Sequence, residues 1–287
     1  MPFVLRTSAA AALLLLLLRA AFAQPVEPSC FETRFLDVGQ GDAAIVRAGT
    51  GESMVVDAGP RDAGERVLAA ARLQGLPPSI IVFTHPHADH IGGHRPLIEA
   101  FRGTRILEAG FAFGSQVYRS LLRSLVAQRR SLEVARRGHR FAVGPRVQVE
   151  VLAPEEPLVT RSRSDANANS VVLKVVCGRV AMLLAGDAER ETERRLVAGG
   201  NLAAQILKVA HHGSRYASTA EFLAAVRPSI AVISCGRRNR YGHPARSTLD
   251  GLARIGAVVH RTDLEGDVIV RTDGERVEAT AAAPTPQ

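Results

Sequence analysis

Two hydrophobic rhythms alternate along the chain. Thr33–Val38, Ala43–Ala48 and Ser53–Ala58 are short β-rich runs separated by Gly39-Gln40-Gly41-Asp42 and Gly51-Glu52, which predicts an antiparallel meander. Residues 62–74 switch to helical spacing, with Val67, Leu68, Ala71 and Leu73 apolar and arginines between them. Pro77-Pro78 closes that helix, and Ser79–Thr84 reads as a buried strand. Further on, the pattern predicts a helix over 115–130, a strand over Arg146–Leu152 and a polar surface loop over Pro154–Ala168. Ser170–Val176 and Val180–Leu184 read as a hairpin turning at Gly178. Helices over 188–198, 218–226 and 246–255 alternate with strands Gln205–Ala210 and Ser229–Ser234. Val258–Arg261 with Asp267–Arg271 reads as a closing strand pair, and 273–287 as a disordered tail. Strands, βα units, a second hairpin and more βα units predict an α/β fold of two sheets sandwiched between helices, not one doubly wound sheet.

The first 23 residues fall outside that fold. Arg6, the apolar run Ala9–Leu18 and Ala21-Phe22-Ala23 before Gln24 read as a signal peptide, with an uncleaved anchor as the competing reading. Residues 24–32 are then a lead-in and 33–272 the folded domain, exported to the periplasm or secreted, with no stable membrane insertion after cleavage. Cys30, Cys177 and Cys235 have no CxxC spacing, which leaves zinc-ribbon and thioredoxin readings unsupported. An oxidising compartment would allow one disulfide. Cys30 with Cys177 is the expected pair because both flank apparent strands, and buried apolar cysteines are the equal alternative.

Composition narrows function only a little. Aromatic residues make up 5% of the chain and there is no Trp, which argues against stacking platforms for single strands. The formal charge of +8 favours attraction of a polyanion without demonstrating one. All basic residues except Lys174 and Lys208 are arginine, a bias that carries little functional weight.

Chemistry concentrates at Thr84-His85-Pro86-His87-Ala88-Asp89-His90-Ile91-Gly92-Gly93, directly after an apolar strand. Imidazole and carboxylate suit Zn and other borderline divalent metals. The i, i+2 spacing puts His85 and His87 on one side of an extended segment, Asp89 and His90 follow around the turn, and Gly92-Gly93 is expected to let the backbone bend. A merely solvated histidine loop is the bland alternative. Gly186-Asp187 after Val180–Leu184 could bridge two cations or could cap the following helix. Of His211 and His212, after Gln205–Ala210, one reads as a ligand and the other as a neighbour on the substrate side. All these groups lie at strand ends, where α/β proteins place their sites.

These residues resemble the metallo-β-lactamase-fold hydrolases, and more narrowly the hydrolase domain of the competence protein ComEC and its stand-alone relatives. The resemblance rests on Phe35–Asp42, Val56–Gly59, the 84–93 cluster, Asn169–Leu173, Leu184–Asp187, Leu207–Ser214 and Tyr241-Gly242-His243-Pro244, and covers about residues 33–272. It implies a four-layer αβ/βα sandwich with two divalent metal ions, Zn or Mn. His85 and His87 would bind the first, Asp89, His90 and His211 the second, and Asp187 would bridge them. A further histidine of the general superfamily is replaced by Asn167-Ala168-Asn169-Ser170, which leaves the first metal short of an imidazole and would weaken it or favour Mn. Asp42 and Asp57 suit hydrogen bonding to the ligand loops.

A cation pair lowers the pKa of a bridging water and clamps phosphodiester oxygens. The expected function is therefore an exported two-metal phosphodiesterase or nuclease acting on DNA or another phosphodiester, with Asp89, His212 and His243 as catalytic candidates. Ser214 and the run Arg237, Arg238 and Arg240 are substrate-binding candidates. Tyr118 with the Arg-rich segment 119–140 is a candidate substrate-side flap on charge alone. Hydrolysis of a small ester, lactone, thioester or β-lactam is the second reading, against which the missing histidine counts. A binding protein with a vestigial site is the third, against which the intact ligand set counts.

Overall fold

The computed structural model describes residues 30–282; the expected signal segment 1–23, residues 24–29 and residues 283–287 lie outside that range. Its eight-stranded sheet runs in the order β15 (Val277–Ala281), β14 (Val268–Thr272), β1 (Phe31–Phe35), β2 (Ala44–Ala48), β3 (Ser53–Val56), β4 (Ile80–Phe83), β5 (Arg105–Glu108), β6 (Glu133–Val134). The seven-stranded sheet runs β13 (Val258–Arg261), β12 (Ile230–Ile233), β11 (Ile206–Lys208), β10 (Val180–Leu184), β9 (Val172–Cys177), β8 (Val147–Ala153), β7 (Arg140–Val143).

The side-chain period of two explains why both sheets are apolar on both faces. Ile80 and Val82 of β4 point between the sheets, where they share one core with Met182, Leu184 and Val232. Ile81 and Phe83 point outward onto Leu97 and Ile98 of the helix His94–Ala100 and Leu121 and Leu125 of the helix Gln116–Ala127. In β10, Ala181 and Leu183 likewise turn outward onto Leu196, Phe222 and Leu252, which the outer helices Arg190–Gly199, Ala220–Val226 and Arg246–Arg254 supply. A strand buried on both faces reads as a continuous apolar run, and three cores between four layers give the αβ/βα sandwich.

Three local expectations are corrected. Val258–Arg261 and the strand after it do not pair with each other. β13 lies parallel to β12, whereas β14 joins the other sheet antiparallel to β1. A helical turn, Thr262–Glu265, and Gly266 at φ 75° separate them, and local alternation does not specify which sheet a strand joins. Val277–Ala281, placed by sequence in an unordered tail, pairs antiparallel with β14; its apolar signal is weak, since only Val277 and Ala279 pack, partly buried, against the core. The loop 154–168 ends in a helical turn, Asp165–Ala168, capped by Ser164, whose side chain accepts from the Asn167 amide.

Cys30 and Cys177 are bonded, joining the start of β1 in one sheet to the end of β9 in the other, and Cys235 is a buried free thiol. Among the described residues no helix is long and apolar enough to cross a membrane.

Glu108 ends β5 in a buried position, accepting from the Gly110 amide at 2.7 Å. Burial outweighs this bond, Arg136 and Tyr118, and pushes its carboxyl from 4.5 up to about 7. The folded state thus holds a proton that the unfolded chain releases, so the stability it contributes is present below 4.5 and is lost as pH rises through about 7. The expected loss is up to about 3 kcal/mol. Glu108→Gln should flatten stability across this window in urea unfolding at a series of pH values; an unchanged slope would contradict the assignment.

Candidate metal centre

The ligand loops meet at one edge of the sandwich, where β3, β4, β10 and β11 end. His85 lies directly beyond β4, Asp187 beyond β10, and His211-His212 beyond β11. The segment 85–90 is fixed by Asp57, whose carboxylate accepts from the Thr84 amide at 2.8 Å, from Thr84 Oγ1 at 2.7 Å and lies 2.7 Å from His90 Nδ1. Asp57 has φ 61°, a left-handed conformation that costs a non-glycine residue about 1–3 kcal/mol and is tolerated where the surroundings over-determine it. Gly92 and Gly93 do not supply a bend, because both have ordinary negative φ. They are required by close approach: a Cβ on Gly93 would sit 2.2 Å from the Ala58 carbonyl oxygen, and one on Gly92 2.6 Å from the Arg61 nitrogen.

Asp187 is the centre of the cluster. Its Oδ2 lies 3.7 Å from each of His85 Nε2, His211 Nε2 and His212 Nε2, and its Oδ1 lies 3.2 Å from His90 Nε2. His85 Nε2 and His87 Nδ1 are 3.0 Å apart. His212 Nε2 is 3.3 Å from Asp89 Oδ2 and 3.4 Å from His90 Nε2. Two groups of possible ligands share one carboxylate: His85, His87 and Asp187 on one side, and Asp42, His90, His212 and Asp187 on the other, with Asp89 adjoining the second through His212.

Here the structure exchanges the two adjacent histidines. His212, not His211, joins Asp89 and His90. The cause is backbone conformation: both residues are left-handed, His211 at φ 50° and His212 at φ 55°. That tandem turn aims His212 inward, where Nδ1 lies 3.0 Å from the Ser234 carbonyl oxygen and 3.4 Å from Asp42 Oδ1. Asp42 is itself paired with Lys208 Nζ at 2.8 Å. Such partners on the far nitrogen orient a metal-binding imidazole. His211 stays partly exposed, with Nδ1 3.0 Å from Glu189 Oε1 and 3.5 Å from Asn167 Nδ2. Glu189 is also paired with Arg163.

The electrostatics fit cations. Burial, with repulsion from His90, holds His85 well below the usual imidazole range, so its lone pair is available. Burial alone would lower His90 and His212 too, but Asp187 with Asp57 raises the first well above its range, and Asp187 with Asp42 raises the second to about 10. Burial would raise Asp187, and the charges of His90 and His212 instead hold it well below the carboxylate range. The carboxylates thus favour positive charge where His90 and His212 converge, the lowered imidazoles of His85 and His87 leave lone pairs on the other side, and the buried Asp187 Oδ1 has the His90 ring near it at 3.2 Å. An imidazole and carboxylate donor set of this kind suits Zn or Mn.

A pocket of about 610 Å³ opens over the cluster, lined by His87, Asp89, Asp187, His211, His212, Ser214 and His243. His243 Nδ1 is buried without a partner, and its ring stands 5.5 Å from that of His211. Arg237, Arg238 and Arg240 do not line this pocket. Arg237 Nε donates to the Asp263 carbonyl oxygen, and Arg240 packs over the Tyr241 ring. Arginine reaches the pocket through Arg163 and Arg215, which sequence reasoning did not single out. The only signal for Arg215 was its position directly after His211-His212-Gly213-Ser214.

Residues 36–237 match the Metallo-beta-lactamase superfamily. The chain is 30% identical over 272 residues to ComE operon protein 3 of Bacillus subtilis (strain 168), across 87% of this chain and 34% of that protein. It is 32% identical over 242 residues to competence protein ComA of Neisseria gonorrhoeae, across 80% of this chain and 30% of that protein. It thus spans about a third of the length of these relatives. Among solved structures, CmlA, a diiron beta-hydroxylase from Streptomyces venezuelae, superposes with a TM-score of 0.55 at 15% identity, over 87% of this chain and 55% of that one; this likeness shows the fold alone.

Proposed function

Because the chain belongs to the metallo-beta-lactamase superfamily, in its ComEC-like branch, we propose that it is an exported two-metal phosphodiesterase acting on DNA or another phosphodiester. The observation that carries this reading is the single buried carboxylate, Asp187, shared by two groups of imidazoles at the floor of an arginine-rimmed pocket. His85, His87 and Asp187, with His211 beside them, would hold one cation, and Asp89, His90, His212 and Asp187 the other. A bound pair of this kind supplies an acidified water and neutralises phosphoryl oxygens.

The chain's own groups do the rest. Arg215, exposed and without an ion-pair partner among the described residues, is placed to bind a non-bridging oxygen. Arg163 is held by Glu189 and lies over the Tyr216 ring at 4.1 Å, so it shapes the rim. His243 presents its unpartnered Nδ1 for hydrogen bonding to substrate, and Ser214, on the wall of the same pocket, accepts from the Tyr216 amide at 3.3 Å. The disulfide supports export, since such bonds persist in oxidising compartments.

Turnover of bis-p-nitrophenyl phosphate by protein stripped of metal and reloaded with Mn or Zn tests the reading, with nitrocefin in parallel. Nitrocefin turnover without phosphodiester turnover would move the protein to the small-ester and β-lactam class. His243→Ala should reduce phosphodiester kcat/KM by about 10²-fold with metal content unchanged; full turnover would remove His243 from the reaction.

A further inference from the structure

A second groove, of about 1080 Å³, runs away from the metal pocket and shares Ala88, Asp89 and Tyr241 with it. Its walls carry Arg61, Arg95, Arg119 and Arg123, all exposed, against one carboxylate outside the metal cluster, Glu65. Arg95 is paired with Glu99 at 3.1 Å. Arg61, Arg119 and Arg123 have no carboxylate partner among the described residues; Arg119 donates only to the Gly114 carbonyl oxygen. Arg119 and Arg123 stand one turn apart on the helix Gln116–Ala127, a like-charge i, i+4 pair that disfavours the helix unless an anion lies against it. At the junction with the metal pocket, the Tyr241 ring is 51% exposed and stacked on His243 at 5.7 Å.

We propose that this groove is the track for a single nucleic-acid strand, whose phosphates lie along Arg61, Arg119 and Arg123 and whose base stacks on Tyr241 as the chain enters the metal pocket. A single strand fits because one ring, open beside Arg240 and His243 rather than part of a stacking platform, can take only an unpaired base, while the backbone supplies the charge that unpaired arginines bind. The proposal rests on the phosphodiesterase reading and narrows its substrate to a polymer. It also gives Arg119 and Arg123 a role that charge alone could not assign, whereas Arg136, Arg137 and Arg140 of segment 119–140 are paired with Glu156, Glu155 and Glu150 away from the groove.

The test compares wild type with Arg119→Glu/Arg123→Glu and, on a separate element, Arg61→Glu. Turnover of bis-p-nitrophenyl phosphate should be unchanged in both, while KM for a single-stranded deoxyoligonucleotide rises about tenfold or more. Binding is read independently, by fluorescence anisotropy of a labelled dT12 on the same variants in an Asp187→Ala background. The slope of log affinity against log salt should fall by about 1.4 for the double variant, because each lost single-strand phosphate contact removes about 0.7. Unchanged affinity and slope in both variants would overturn the track, as would equal loss on the small substrate and the oligonucleotide. A duplex of the same length that competes as well as dT12 would overturn the single-strand assignment. If wild type hydrolyses no phosphodiester, the phosphodiesterase reading fails, whereas the binding data still decide the groove.

Discussion

Asp187→Ala is expected to lower phosphodiester turnover of the metal-loaded protein by about 10³-fold or more, which is about 4 kcal/mol of transition-state stabilisation. Among the described residues no other carboxylate has ion-pair contacts with both imidazole groups: its two oxygens face His85, His90, His211 and His212 at 3.2 to 3.7 Å. Removing it leaves these nitrogens with no shared anion, so cation binding should fall together with turnover. Asp187→Asn keeps the shape and removes the charge, and it should fail almost as completely. Steady-state kinetics with metal analysis of the same samples checks this. A variant with more than a tenth of wild-type turnover at normal metal content would contradict the shared-carboxylate assignment.

The second large effect concerns stability. Breaking Cys30–Cys177 closes off the constraint on a loop of sequence separation 147. Loop-closure entropy for a loop that long is worth about 5 kcal/mol, and measured losses for native disulfides run about 2–5 kcal/mol. Both cysteines are 1% exposed and belong to the core between the sheets, so Cys30→Ala/Cys177→Ala also removes apolar contact. Urea unfolding of wild type, of wild type under reductant and of the double variant should show a loss in that range in the last two. A loss below about 1 kcal/mol would mean that the sheets are held by packing alone.

The parts of this molecule legible in its sequence are those where chemistry or periodicity is local. His85, His87, Asp89 and His90 sit within six residues after an apolar strand, so their convergence follows from one turn. Asp187 was readable as a strand-end carboxylate. The choice between His211 and His212 was not, since adjacent residues of one type differ only by two left-handed backbone conformations. Glu189 and Arg163 were missed because they gather with Asn167 around His211 across separations of 22 to 44 residues, with no motif of their own; Asn167 was readable only as part of the segment that replaces a histidine of the superfamily. At the level of the fold, β5, β6 and β7 lie in a stretch of weak pattern. The partition of β13 and β14 between sheets depends on long-range pairing with Phe31–Phe35. Arg237, Arg238 and Arg240 read as substrate-binding candidates, yet charge along the chain does not specify direction. Arg237 is tied to the Asp263 carbonyl, while the arginines lining the metal pocket and the groove come from the helices His94–Ala100 and Gln116–Ala127, the turn Arg61–Ala63 and the loops carrying Arg163 and Arg215.

Two cations sharing Asp187, as proposed above, would give a spectroscopic signature independent of any substrate. The decisive measurement is electron paramagnetic resonance of metal-free protein titrated with Mn(II), with wild type beside Asp187→Ala. Two equivalents should bind per wild-type chain with an exchange-coupled signal, and fewer equivalents with an uncoupled signal in the variant. One uncoupled Mn(II) per wild-type chain, unchanged by Asp187→Ala, would contradict the two-cation reading.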